Sequence, residues 1–267
     1  MTVIYLVRHG QASFAEQDYD KLSMKGEEQA KILGRYWREL ESLQESPKQG
    51  IQFYSGSLLR HEQTAENFLS KYLKDNTQAN SANNSLITHS GFNELDHVDI
   101  LGCFNENWRS FQSMCSSQMT LDNQNNNNRK DNNAVGTFQK AFIEAINRWI
   151  SGENDNDYKE SWPQFKSRCI ASLHEVLAQN TAHQKSTAIN AQTSQKRALI
   201  IFTSGGVIGV IIGHILGLSD QKSLQISQQL INSSVTKIIA TTDGLKLNYL
   251  NNYSHLELSG KDWLSYY

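Results

Sequence analysis

Three times along this chain a short apolar run halts at a polar, glycine-bearing turn and gives way to a stretch with helical spacing. Val3-Ile4-Tyr5-Leu6-Val7 stops at Arg8-His9-Gly10. Ile51-Gln52-Phe53-Tyr54 stops at Ser55-Gly56-Ser57, with Leu58-Leu59-Arg60-His61 following. Ala198-Leu199-Ile200-Ile201-Phe202-Thr203 stops at Ser204-Gly205-Gly206. Continuous apolar runs of this length read as buried strands, and strands alternating with helices imply an α/β fold with a largely parallel sheet. In such sheets ligands sit in the crevice outside the carboxyl ends of the strands, so these turns are where a site is expected.

The residues at those turns suit an anion. Arg8 offers a planar fork of donors to a phosphate or carboxylate. His9 can act as nucleophile or base near neutral pH, and Gly10 allows a tight turn or a close backbone approach. Arg60 falls near the start of a helix whose apolar face is Ala65, Phe68, Leu69 and Tyr72. A cation opposes the helix dipole there, so an anionic partner is expected. The third turn places free backbone N–H groups, and the Ser204 hydroxyl, at a helix amino terminus.

Ser23 reads as the N-cap of the first helix, with Glu27 and Glu28 in its first turns and Ala30, Leu33, Trp37 and Leu40 on one face. Pro47 and Gly50 mark the loop before the second strand. Leu86-Ile87-Thr88 is a short strand leading to Glu94. Residues 75–85, 122–133 and 180–196 are polar, the first two Asn-rich, and read as loops. Phe138, Phe142, Ala145, Ile146 and Trp149 form a helical stripe that reads as core packing, and Phe165–Leu177 is a second helix. Residues 1–267 are read as one domain with a helical insertion at about 104–175 that would cap the site. Near the end, Val235–Ala240 and Leu245–Leu250 flank Thr241-Thr242-Asp243-Gly244, a hairpin signal, so the sheet should be mixed.

A net charge of -2 and a pI near 6.4, without a basic stripe, argue against nucleic-acid binding. Ala198–Leu218 is as long as a membrane span, but Thr203-Ser204-Gly205-Gly206 and His214 interrupt it, and a buried strand feeding a helix accounts for it better. The amino terminus lacks a basic n-region and a small-residue cleavage site. Cys103, Cys115 and Cys169 are unpaired in spacing, which fits reduced thiols in a cytoplasmic protein and no zinc site. His61, His89 and His97 lack metal-ligand spacing and read as structural or surface residues. No cofactor is expected, and a homodimer is compatible with the sequence.

With those residues in place, the chain resembles the histidine phosphatase superfamily, which contains cofactor-dependent phosphoglycerate mutases and fructose-2,6-bisphosphatases. Arg8-His9-Gly10 is its hallmark triplet. Residues 55–66 (SGSLLRHEQTAE) match its second block, Phe92-Asn93-Glu94 the segment that supplies its acid, residues 202–208 (FTSGGVI) its fourth block, and 251–257 (NNYSHLE) a carboxyl-terminal segment. The resemblance implies a three-layer α/β/α sandwich with a mixed, mainly parallel sheet. It implies a phosphatase in which His9 becomes a phosphohistidine and Glu94 serves as acid and then base. Arg8, Arg60, Ser204, Gly205 and Ser13 would bind substrate, a phosphorylated small molecule or a phosphorylated protein side chain. Glu16, Asp18 and Asp20 are alternative acids.

One position departs from the pattern: the histidine that normally precedes the Gly-Gly pair is Ser204 here. A hydroxyl can hydrogen-bond a phosphoryl oxygen but carries no charge, a loss on the order of 3 kcal/mol in a preorganised site. On that reading Ser204→His should raise turnover about tenfold. The same departure keeps open a weakened, phospho-ligand-binding protein, and a phosphoglycerate mutase as a third reading.

Overall fold

A computed structural model of the 267-residue chain describes residues 1–13, 20–42, 50–73, 85–108, 133–188 and 198–266. Glu16, Asp18, Pro47, Cys115 and most of the polar stretches expected as loops lie outside these residues. Two compact units divide the chain: Met1–Glu94 with Arg168–Tyr267, and Leu95–Ser167.

The first unit is built on a six-stranded sheet in the order β3-β2-β4-β1-β5-β6. The three apolar runs are its central parallel strands, β1 (Thr2–Arg8), β2 (Ile51–Ser55) and β4 (Ala198–Thr203). β3 (Leu86–Thr88) adds a short parallel edge. β5 (Val235–Thr241) and β6 (Gly244–Asn252) close the other side antiparallel. Every residue of β4 is buried, as its continuous apolar sequence requires of a strand covered on both faces. The final hairpin is tighter than its Asp-Gly signal suggests. Thr241 already pairs with Gly244, so Thr242 and Asp243 form the turn and Gly244, at φ 118°, begins β6.

Alternation along the strands divides the core. Tyr5, Val7, Phe53, Ile200 and Phe202 pack against Leu33 and Trp37 of α1 (Met24–Ser42) and against Ala65, Phe68 and Tyr72 of α2 (Leu59–Tyr72). On the opposite pleat Ile4, Leu6, Leu199 and Ile201 are equally buried. α1 begins as the sequence indicates, with Gly26 N–H donating to Ser23 Oγ at 3.1 Å. Leu40 departs from the expected face and is 40% exposed.

In the second unit, α3 (His97–Phe104) packs with α4 (Asn133–Ser151), and α5 (Trp162–Ala188) starts there. Ala145, Ile146 and Trp149 of the expected stripe are buried. The Trp149 ring meets Trp162 edge-on at 5.1 Å. The side chain of Phe138 is outside the described residues, and Phe142 is half-buried. α5 runs to Ala188, so residues 180–188 are helical rather than loop. Extending a helix already started costs less than nucleating one, which carries α5 past its apolar stretch. α6 (Gly205–Leu216) and α7 (Asp220–Gln229) complete the first unit with the short α8 (Ser254–Ser259). None of the described helices is long and apolar enough to cross a membrane.

Candidate active site

Strand register brings the ends of β1, β2 and β4 together. Arg8 of β1 pairs with Thr203 of β4, and Ser55 of β2 with Phe202. The three strands therefore end within one residue of each other, and His9, Gly56 and Ser204 follow side by side. His9 N–H donates to the Thr203 carbonyl at 2.8 Å, and Gly56 N–H to the Phe202 carbonyl at 3.0 Å. On its other side the His9 carbonyl accepts from Ser233 N–H at 3.1 Å and Asn232 Nδ2 at 3.2 Å. Gly10 is required by packing: a Cβ there would stand 2.3 Å from the Gly26 carbonyl oxygen of α1.

His9 is 6% exposed, and its Nδ1 lies 2.7 Å from the Gly10 carbonyl oxygen. A carbonyl only accepts, so Nδ1 carries the proton and Nε2 holds a lone pair. Burial, then the charges of Arg60 and Arg8, then His61, push its pKa well below the ordinary 6.5, against a smaller upward pull from Gly10. The ring is thus neutral at physiological pH.

The two arginines are held differently. Arg8 donates to the carbonyls of Leu230 and, at 3.0 Å, Tyr266. Arg60 Nη1 lies 2.5 Å from Asp20 Oδ1, and Asp20 Oδ2 accepts from Leu59 N–H at 2.8 Å. Asp20 thereby supplies the anionic partner expected of a cation at a helix amino terminus, and it caps the helix from 39 residues away in sequence.

Glu94 reaches the same place from the far side. Its Oε2 accepts from Gly206 N–H in the first turn of α6 at 3.1 Å. Three ties fix its loop: Asn93 Oδ1 accepts from Ser57 N–H at 2.7 Å, Thr203 Oγ1 donates to the Phe92 carbonyl at 2.7 Å, and Arg168 Nη1 donates to the carbonyls of Gly91 and Asn93 at 3.0 Å. The helix amino terminus expected to receive an anion thus already holds a carboxylate.

Ser204 is fully buried at the N-cap of α6 and makes no capping bond through its hydroxyl. Its Oγ lies 2.5 Å from His61 Nε2. His61 is fully buried, and its ring is 5.7 Å from that of His9. Ser13, the remaining expected substrate contact, is buried, with its N–H on the Lys21 carbonyl at 2.8 Å. Gly205 stands at the start of α6 between Ser204 and Gly206. Sequence reasoning passed over His61, Asn93 and Arg168. A signal for the first was present: Arg60-His61, in the first turn of α2, repeats the dipeptide Arg8-His9. No cluster of metal-ligating residues occurs among the described residues.

Residues 4–77 match the histidine phosphatase superfamily (branch 1). No curated protein sequence matches the chain. Among solved structures, a phosphoserine phosphatase mutant from Entamoeba histolytica in complex with phosphoserine is 17% identical, with a TM-score of 0.55 over 96% of this chain and 100% of that one. A phosphoglycerate mutase from Bacillus anthracis is 16% identical, with a TM-score of 0.55 over 96% and 95%. A mycobacterial glucosyl-3-phosphoglycerate phosphatase in complex with inorganic phosphate is 15% identical, with a TM-score of 0.57 over 96% and 99%. At these identities the likeness is one of fold. Residues 4–77 thus carry the sequence pattern of the histidine phosphatase superfamily, and the chain has the phosphoglycerate mutase-like α/β fold.

Proposed function

We propose that this protein is a phosphatase that hydrolyses a phosphate monoester through a phosphohistidine on His9. The observation that carries the reading is the state of the His9 ring: buried, neutral, with Nδ1–H on the Gly10 carbonyl and the Nε2 lone pair available. Nε2 attacks phosphorus, the N–P bond forms and the P–O ester bond breaks. Glu94, as the general acid, gives a proton to the leaving oxygen. Water then attacks phosphorus, Glu94 takes its proton, the N–P bond breaks and orthophosphate departs. Arg8 and Arg60 neutralise the transferring group, while Ser204, the start of α6 at Gly205 and Ser13 complete its cradle. Asp20, bound to Arg60 and Leu59 N–H, is committed to positioning and is not the acid.

Substrates of the kind bound or cleaved by proteins of this fold, phosphoserine among them, are the first to try after a generic aryl phosphate. Wild type should turn over p-nitrophenyl phosphate and form an acid-labile phosphoenzyme. His9→Ala should lose at least about a thousandfold in kcat/KM and all of the phosphoenzyme. Turnover unchanged by His9→Ala would refute the reading. One observation favours a second reading, a phospho-ligand binder. Ser204, at the start of α6, adds no charge where charge would develop in the transition state. Phosphate binding without His9-dependent turnover would select it.

A further inference from the structure

We infer that His61 is a positioning residue of this site, holding the Ser204 hydroxyl as a hydrogen-bond donor to the phosphoryl group beside His9. The inference rests on the proposed phosphatase reading and adds to it the role of a second imidazole.

The pair is built, not incidental. Both side chains are fully buried and meet at 2.5 Å. The His61 ring fits only because residue 56 is glycine: a Cβ there would stand 2.2 Å from His61 Nδ1. Gly56 is also the residue that follows β2, on the other side of β4 from His9, so the chain gives up a side chain at the site to admit this ring. Burial, and then the adjacent Arg60 charge, keep His61 neutral.

A neutral imidazole has one N–H, and its position decides the geometry. Nδ1 has no hydrogen-bond partner among the described residues. With the proton on Nδ1 the buried orphan would be an N–H donor. With the proton on Nε2 the orphan is a lone pair, the less costly defect. Nε2–H therefore donates to Ser204 Oγ, and the hydroxyl proton of Ser204 is left to point elsewhere. Ser204 makes no capping bond with it, and the strand register places the residue next to His9. A phosphoryl oxygen on its way to His9 Nε2 is the acceptor this arrangement suits. A hydroxyl that accepts a hydrogen bond is polarised into a stronger donor, so His61 acts on the ligand through Ser204 without touching it.

A double-mutant cycle tests this, using wild type, His61→Ala, Ser204→Ala and the double variant, with kcat and KM measured on p-nitrophenyl phosphate. We expect His61→Ala to lower kcat about fivefold or more with KM within about twofold, and to cost nothing further in the Ser204→Ala background. An equal loss in both backgrounds means that His61 is merely structural and overturns the inference, as does a kinetically silent His61→Ala. If His61→Ala fails to fold, His61→Gln and His61→Met replace it. Gln keeps an N–H directed at Ser204 and should stay within about threefold of wild type, while Met should fall about fivefold or more below it. Equal rates for the two overturn the inference. If wild type shows no His9-dependent turnover, the phosphatase reading fails separately, and the cycle is read on the orthovanadate Kd by calorimetry. Coupling between positions 61 and 204 in that Kd upholds the positioning role; additive effects, or no orthovanadate binding by wild type, overturn it.

Discussion

The chain carries an Arg-His dipeptide twice, at the end of β1 and in the first turn of α2, and the surroundings of the two differ. In Arg8-His9 the arginine is engaged by neutral carbonyls, and the histidine turns Nδ1 to the Gly10 carbonyl, which leaves the lone pair on Nε2. In Arg60-His61 the arginine is engaged by a carboxylate, and the histidine spends Nε2 on Ser204. Both rings are buried and neutral, so burial does not separate the proposed nucleophile from the proposed support. Which nitrogen the surroundings claim does. The comparison breaks most sharply at the rings themselves: His9→Ala should cost at least about a thousandfold in kcat/KM and His61→Ala about fivefold to tenfold. Comparable losses in assays of the two variants would mean that the dipeptides share one role.

Position 204 gives the next largest effect, and its contact with His61 is a reason to expect the opposite of what the sequence suggests. Ser204 reads as a handicap when its neighbour is unknown. With the His61 ring 2.5 Å from its oxygen and no exposed surface at either residue, a histidine at 204 has nowhere to go. Ser204→His should therefore lower stability by about 1–3 kcal/mol through overpacking and lower turnover instead of raising it tenfold. Adding His61→Ala removes the obstructing ring. The double variant should recover stability to within about 1 kcal/mol of wild type, and turnover with it. Urea unfolding and the aryl phosphate assay report both quantities, and a Ser204→His protein as stable and faster than wild type would show that the pocket is roomier than the ring contact implies.

How much of this was readable beforehand follows from what kind of information each feature needs. The central strands declared themselves because a strand covered on both faces must be apolar throughout, as Ala198–Thr203 is. Arg8, His9, Arg60, Glu94 and Ser204 were legible as candidates because each follows such a run or matches a family block. Their partners were not. The need for an anion at Arg60 follows from the helix dipole, yet nothing local identifies Asp20, 40 residues earlier. The His61–Ser204 bond joins residues 143 apart and exists only once β2 and β4 are in register. The end of α5 was misread for a different reason. Its polar residues lack an apolar stripe, and they extend a helix already nucleated by the preceding apolar turns.

A third buried imidazole, away from both dipeptides, provides a measure of how acid weakens the fold. His255 on α8 is pushed down by burial to about 3, against a smaller upward pull from the Ser233 backbone. Its folded pKa lies below the unfolded value of 6.5, so below 6.5 the unfolded chain binds a proton that the folded chain refuses. The stability it contributes is intact above 6.5 and is lost as pH falls from there toward about 3. One such group contributes a slope of about 1.4 kcal/mol per pH unit, or about 2 kcal/mol between pH 6.5 and about 5. His9 and His61 act in the same direction. His255→Gln should flatten the stability-pH curve by about that one-group slope in urea titrations. Parallel curves for the two proteins would show that His255 titrates as if exposed.

The smallest expected effect tests what separates the two arginines. Asp20→Asn turns the carboxylate against Arg60 into an amide whose carbonyl can still accept from the guanidinium and from Leu59 N–H. That makes the second arginine resemble Arg8, engaged but not neutralised. Two consequences oppose each other. Removing a negative charge beside the anion site strengthens ground-state binding of phosphate, while a looser partner leaves Arg60 less well aimed when charge develops in the transition state. Asp20 is one-third exposed, so solvent screens the pair and its worth falls in the range of about 0.2–1 kcal/mol. Orthophosphate should then inhibit the variant with a constant about twofold to fivefold lower, and kcat should fall by a similar factor, leaving kcat/KM nearly unchanged. A constant that rises would show that aiming Arg60 matters more for binding than the charge Asp20 sets against it.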